Sequence, residues 1–179
     1  MKLSAYNPDN IEEIKQLFTK TFSDSEGQSE GLLIGNLSYD LMTTTKVYDL
    51  YGFVAIDNDK IIGSIFFSKL SFDKSDVNAF ILSPVAIHTN YQGKGIGQEL
   101  INFGLNTLKE DDVELVFTYG DPGFYSKVGF IPITEKLVKA PFKLMYPEGW
   151  LGQSFVNDKI KPIIGESSCV EALNKSDLW

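Results

Sequence analysis

Between Leu82 and Gly97 the chain runs from a branched, apolar stretch straight into a cluster of glycines, and this junction restricts the fold more than any other segment. Leu82-Ser83-Pro84-Val85-Ala86-Ile87-His88 reads as a strand. Thr89-Asn90-Tyr91 turns the chain, and Gln92-Gly93-Lys94-Gly95-Ile96-Gly97 opens a helix whose apolar face continues through Leu100, Ile101, Leu105 and Leu108. Glycines let the backbone take angles closed to other residues and let a ligand approach closely. The N–H groups of a first helical turn have no partners of their own and carry the positive end of the helix dipole. A strand, a glycine-rich turn and a helix start in that order therefore predict an anion site, with a phosphate-bearing ligand as its natural guest.

Three phosphate motifs compete for this loop. A P-loop needs Gly-x-x-x-x-Gly-Lys-Ser/Thr, but Lys94 stands between two glycines and no Ser or Thr follows it. A dinucleotide fold needs Gly-x-Gly-x-x-Gly, and Gly93-x-Gly95-x-Gly97 misses the last spacing; too little chain follows residue 120 for the further β-α units. The pattern Gln/Arg-x-x-Gly-x-Gly/Ala is met in full by Gln92, Gly95 and Gly97.

Elsewhere the pattern alternates between strands and helices. Residues 2–6 suit a short strand, and Asn7-Pro8 suits a helix start, with a helix running to about Phe22. Residues 23–31 read as a loop, and Leu32 to Leu41 as a second helix. Leu50–Ile56 and Ile61–Leu70 flank the turn cluster Asp57-Asn58-Asp59-Lys60, which predicts a hairpin. A third long strand spans Asn78–His88. After the glycine-rich helix come a strand at Val113–Tyr119, a short helix from Asp121-Pro122 to Lys127 stopped by Gly129, and strands at Phe130–Ile133 and Pro141–Tyr146. Early hairpins with one late β-α-β crossover make an α+β, mixed-sheet layout. With 179 residues and 43% hydrophobic content, a single domain over 1–179 is expected.

The balance of residues excludes several classes. A net charge of −8 disfavours nucleic-acid binding, which needs clustered Lys and Arg. One cysteine, Cys169, allows no internal disulfide, and one histidine, His88, allows no His-rich zinc site, so no metal is expected. The N-terminus lacks the apolar core of a signal peptide, and no apolar run approaches the ~20 residues that span a bilayer. These features point to a cytoplasmic protein without membrane partners.

The Gln92–Gly97 loop, the preceding strand Leu82–His88, and the run Gly120-Asp121-Pro122-Gly123-Phe124-Tyr125-Ser126-Lys127-Val128-Gly129-Phe130 together resemble the Gcn5-related N-acetyltransferase (GNAT) superfamily. The last run looks like that family's Phe-Tyr-x-x-x-Gly-Phe segment. The resemblance is specific over residues 78–130, looser over 1–77 and weak beyond 135, so residues 135–179 form a less certain C-terminal part. It implies a central, mostly antiparallel sheet with helices on both faces, whose fourth and fifth strands splay apart to admit the pantetheine arm of acetyl-CoA. Pro84 cannot donate to a sheet ladder and belongs at a bulge or an edge. A bulge there leaves backbone groups of Val85, Ala86 and Ile87 to face the pantetheine. The resemblance assigns the pyrophosphate to Gln92, Gly93, Lys94, Gly95, Ile96 and Gly97, and allows a coenzyme contact from Asp121, which stands where many relatives have Asn. Asp121-Pro122 also reads as a helix cap with its proline.

The implied reaction is direct attack of a primary amine on the thioester of acetyl-CoA. Tyr125 matches the family tyrosine near the coenzyme sulfur and is the expected general acid. The general base has no candidate on the fourth strand, because Ser83 and its neighbours offer no carboxylate. Glu26, Glu30 and Asp40 lie in the region that shapes the acceptor pocket in such enzymes, with Phe22, Tyr39, Tyr48 and Tyr51 as candidate lining. His88 sits at the strand end, beside the phosphate loop, and reads as a surface residue. The alternative is a non-catalytic acyl-CoA-binding sensor or partner module on the same fold. The acceptor is a small amine or an exposed protein amine, and homodimers are common for this fold.

Overall fold

The computed structural model describes residues 1–179. Its elements run β1 (Lys2–Ala5), α1 (Ile11–Glu26), α2 (Gln28–Thr44), β2 (Leu50–Asp57), β3 (Lys60–Phe72), β4 (Ser75–Ile87), α3 (Ile96–Glu110), β5 (Leu115–Tyr119), α4 (Pro122–Tyr125), β6 (Ile131–Pro132), β7 (Trp150–Ser154) and β8 (Ser167–Cys169), with single 3-10 turns between some of them. The strand order is β1-β2-β3-β4-β5-β7-β6, and β8 pairs with β3.

Connection length explains the directions. Asn58 and Asp59 alone join β2 to β3, both at positive φ (48° and 59°), as a tight hairpin turn requires. Asp73 and Lys74 alone join β3 to β4. Two residues can link only antiparallel neighbours, whereas a parallel pair needs a long crossover. The helix α3 supplies that crossover, and β4 and β5 are parallel, with Ala79 opposite Leu115 and Leu82 opposite Thr118. The pairs β1–β2, β5–β7, β6–β7 and β3–β8 are antiparallel. The mixed α+β layout expected from the sequence is the one observed.

Backbone proximity divides the chain into two compact units, Met1–Phe67 with Pro84–Leu105, and Ser68–Ser83 with Asn106–Trp179. In the first, the Phe18 ring of α1 meets Phe66 at 5.9 Å, while Phe53 meets Phe67 and the Phe103 ring of α3 at 6.1 and 5.5 Å. Neighbouring strand residues point to opposite faces, so Phe66 and Phe67 place α1 and α3 on opposite sides of β3. In the second, fully buried Trp150 stacks on Phe117 at 5.5 Å and meets Trp179 edge-on at 6.3 Å. Its indole N–H donates to the Val138 carbonyl at 2.8 Å, so the buried donor is satisfied.

Three sequence expectations are corrected. The helix α1 continues past Phe22 to Glu26, and α2 already begins at Gln28, inside the stretch read as a loop. Gly31, taken as a loop signal, is a buried helix position like Gly35 one turn on, and a Cβ on either would collide with Thr19 of α1. They serve close helix packing instead of a turn. The strand expected at Pro141–Tyr146 is absent; the strand there is β7, at Trp150–Ser154, which pairs with β5 from Leu115↔Ser154 to Tyr119↔Trp150. Burial of Trp150 and Leu151 outweighs the unfavourable Gly152 in its middle.

Candidate active site

The ladder between β4 and β5 ends at Leu82↔Thr118, while β4 itself continues through Pro84 to Ile87. Beyond Leu82 no ladder pairs β4 with β5, and Pro84 has no N–H to give to either neighbour. Pro84 stands in a central strand and not at an edge. On the β3 side the His88 N–H still donates to the Ile62 carbonyl at 2.8 Å. Ala86 is buried; Val85 and Ile87 are half-buried.

The loop after β4 is tied down by its own side chains. The Gln92 amide donates to the Ile87 carbonyl at 2.9 Å, so this side chain anchors the loop to the strand end and occupies a carbonyl expected to be free. His88 Nδ1 accepts from the Asn90 N–H at 3.2 Å and caps the 3-10 turn Thr89–Tyr91. Lys94 turns back: its ammonium donates to the Asn90 carbonyl at 3.1 Å and lies 5.2 Å from the Tyr91 ring centre. Thr89 donates its hydroxyl to Asp24 Oδ2 at 2.7 Å, and Lys20 pairs with the same carboxylate at 3.2 Å. These two donors hold the Asp24 carboxyl below the usual carboxylate range.

Gly93 and Gly95 have φ of +74° and +82°, the left-handed region that other residues rarely adopt. Nothing lies within 4 Å of the place where a Cβ would sit on either one. The Gly95 carbonyl accepts the Glu99 N–H at 3.0 Å, which closes the first turn of α3, and buried Ile96 roots that turn in the core. The N–H groups of the first helical turn have no preceding helical carbonyls to bind. The chain contains no arginine, so an anion here meets backbone N–H groups and the helix dipole, not a guanidinium fork.

In the second unit, β5 leads through Gly120 to Asp121, whose Oδ1 accepts the Gly123 N–H at 2.8 Å and caps α4 with Pro122 at its first position. Gly129, at φ +90°, stops the following turn. The Tyr125 ring is held edge-on by Phe124 at 5.0 Å and Phe130 at 5.8 Å. Burial pushes its phenol up to about 12; a hydrogen bond with Thr118 opposes that shift and the Asp121 charge adds to it. The Thr118 hydroxyl in turn donates to the Leu82 carbonyl at 2.9 Å. At neutral pH Tyr125 is a protonated donor in a fixed position.

Residues 49–132 match the acetyltransferase (GNAT) domain family. The match spans β2 to β6 and includes the glycine loop and the Tyr125 segment. Among curated relatives, the uncharacterized N-acetyltransferase YhbS of Escherichia coli is 32% identical over 106 residues, covering 59% of this chain and 60% of YhbS. The uncharacterized N-acetyltransferase YjhQ of the same organism is 33% identical over 103 residues, covering 53% and 55%. The chain thus spans about 60% or less of the length of these two relatives. Two solved structures share the fold along nearly the whole chain. E. coli YhbS in complex with CoA gives a TM-score of 0.79 at 23% identity over 97% of this chain and 92% of that one. A GNAT family acetyltransferase from Brucella melitensis in complex with acetyl-CoA gives 0.75 at 22% identity over 96% and 97%.

The other residues singled out in the sequence are spread over several elements. Glu26 ends α1, Glu30 lies in the first turn of α2, and Asp40 lies nearly three turns further along α2. Phe22 stacks with Phe18 and Tyr51 with Phe53, so both extend the aromatic core. Tyr39 lies under the Lys15 ammonium, and Tyr48 is exposed beside Lys46. Cys169 lies half-buried in β8, and burial raises its thiol to about 11, which removes it as a nucleophile. No group of His, Cys, Asp or Glu is placed to hold a metal ion, and no helix is long and apolar enough to cross a membrane.

Sequence reasoning missed two sets of residues. Asp24 braces the glycine loop from the end of α1, and only its i,i+4 spacing from Lys20 was visible beforehand. Tyr119, Tyr146 and Glu148 line a cavity of about 310 Å³ together with Gly120, Asp121 and Gly149. Tyr146 and Glu148 fall in the stretch whose strands were misplaced.

Proposed function

We propose that this protein transfers the acetyl group of acetyl-CoA to a primary amine, with residues 1–179 acting as one catalytic domain. The observation that carries the reading is the open glycine cradle at the start of α3: two left-handed glycines, unpaired first-turn N–H groups and free space where side chains would stand. The coenzyme's pyrophosphate fits there, on Gly93 to Gly97, with Lys94 able to swing from Asn90 to the phosphate as a point charge. Backbone groups of Val85 and Ala86 and the N–H of Ile87, whose carbonyl is held by Gln92, face the pantetheine arm, and Asp121 contributes to coenzyme binding through the turn it caps.

In the reaction the amine nitrogen forms a bond to the acetyl carbonyl carbon and the carbon–sulfur bond breaks; the amine gives a proton to water, and the sulfur gains one. Tyr125 donates that proton and regains one from water before the next turnover. Its phenol is a weaker acid than an ordinary thiol, so transfer is coupled to carbon–sulfur cleavage, when negative charge gathers on the sulfur. A backbone N–H near Val85 to Ile87 polarises the carbonyl. The relatives' names and the ligands of the two neighbours support the class of reaction.

Calorimetric titration with acetyl-CoA tests the reading. Micromolar binding is expected, and a folded protein that does not bind overturns it. One observation favours a second reading, a non-catalytic acyl-CoA sensor: β4 carries Ser83 and no carboxylate at the point where a base would serve the amine. Release of CoA in the presence of a panel of amines separates enzyme from sensor. In that assay His88→Ala is expected to retain turnover, losing a capping hydrogen bond and the edge-on contact with the Tyr91 ring, together on the order of 1–2 kcal/mol of stability in a denaturant melt. A collapse of turnover in the folded variant would assign His88 to the chemistry.

A further inference from the structure

The cavity in the second unit has a chemical character of its own. The Gly120 N–H donates to the Gly149 carbonyl at 3.0 Å, and a Cβ on Gly149 would approach the Gly120 carbonyl to 2.9 Å, so two glycines let the segments around residues 120 and 149 close together as its base. Tyr119 forms one wall. Its ring stacks on Trp179 at 6.3 Å, and its hydroxyl accepts the Tyr146 N–H at 2.7 Å, which fixes Tyr119 and brings Tyr146 beside it. Asp121 and Glu148 bring two carboxylates. One oxygen of Asp121 is spent on the cap of α4, whereas Glu148 makes no ion pair or hydrogen bond. No lysine lines the cavity. Two phenol rings and two carboxylates with no cation of their own suit a positively charged guest.

The same cavity adjoins Tyr125. A Cβ on Gly120 would sit 2.7 Å from the Tyr125 ring, so Gly120 separates the guest from that ring by the thickness of one backbone. We propose that this cavity is the acceptor pocket, and that it selects a compact primary amine bearing a second cationic group, with Glu148 as the counter-charge and the Tyr119 and Tyr146 rings against the cation. The proposal rests on the acetyltransferase reading and names its substrate class. Glu148 acts here in specificity, not in proton transfer.

The test uses the whole protein without acetyl-CoA, so that it fails separately from the coenzyme titration. Choline chloride and its neutral isostere 3,3-dimethylbutan-1-ol are titrated while the tyrosine and tryptophan fluorescence is followed. Choline is expected to bind about tenfold more tightly than the isostere, the sum of one ring contact and one carboxylate contact. Glu148→Gln is expected to cut that preference from about tenfold to about threefold, the share left to the rings, while leaving binding of the isostere unchanged; Glu148→Asp is expected to keep it. Equal binding of the two probes, no binding of either, or an undiminished preference in Glu148→Gln overturns the proposal. In the amine panel the same variant is expected to raise KM for diamines and leave kcat unchanged. A fall in kcat alone would also overturn it, since Glu148 would then serve the chemistry.

Discussion

Gly95→Asp is expected to weaken acetyl-CoA binding by a hundredfold or more while the protein still folds. Two effects add. Gly95 sits at φ +82°, where an L-residue pays on the order of 1 kcal/mol, somewhat less for Asp than for most. The new carboxylate would stand in the space reserved for a diphosphate, and like charges ~4 Å apart near a protein surface repel by a few kcal/mol. Because nothing lies within 4 Å of the new Cβ, the fold has no clash to relieve. Calorimetry measures the loss, and far-UV circular dichroism checks the fold. Gly95→Ala separates the causes, since it keeps the backbone strain and drops the charge, and it should bind more weakly than wild type but clearly better than Gly95→Asp. Wild-type affinity in Gly95→Asp would remove the pyrophosphate from this loop.

Tyr125→Phe is expected to lower kcat by about a hundredfold with acetyl-CoA affinity nearly unchanged, the size of effect that a positioned general acid supplies. The ring keeps its contacts with Phe124 and Phe130, so only the hydroxyl is lost. A pH experiment gives an independent check. Burial raises the folded-state phenol from 10.0 to about 12, so the unfolded chain releases this proton first as pH rises. The stability tied to Tyr125 is whole below pH 10 and is lost between about pH 10 and 12. Denaturant melts at pH 9 and pH 11.5 should show the Phe variant losing less stability than wild type over that interval. Tyr6, also raised by burial, is present in both proteins and cancels. Turnover equal to wild type would take Tyr125 out of the mechanism, whatever the melts show.

The legible part of this protein is local. The glycine loop, the cap and proline at Asp121-Pro122, and the apolar face of α3 are written within a dozen residues each, and the structure places them as read. Each depends on backbone geometry that glycine, proline or helical spacing enforces at short range. The misreadings share the opposite cause. Gly31 looks like a turn residue until α1 lies against it. Trp150–Ser154 looks like coil until β5 offers a partner, while Pro141–Tyr146 has the alternation of a strand and no partner to pair with. The side chains of Gln92 and His88 were open in the same way: their bonds to Ile87 and Asn90 follow from where the loop folds back.

By itself, then, the sequence determined the mixed α+β class and the crossover through α3, and it marked out the glycine loop at Gly93–Gly97 and the Asp121-Pro122 cap, because each rests on spacing along one stretch of chain. Only the tertiary structure decided that Asp24 braces the loop across 65 residues. It alone brought Tyr119 and Gly120 together with Tyr146 and Glu148 from the far end of β7. A cavity is a meeting of segments distant in sequence. Its lining is set by which backbones can approach, here Gly120 against Gly149, and that approach has no signature in either segment read alone.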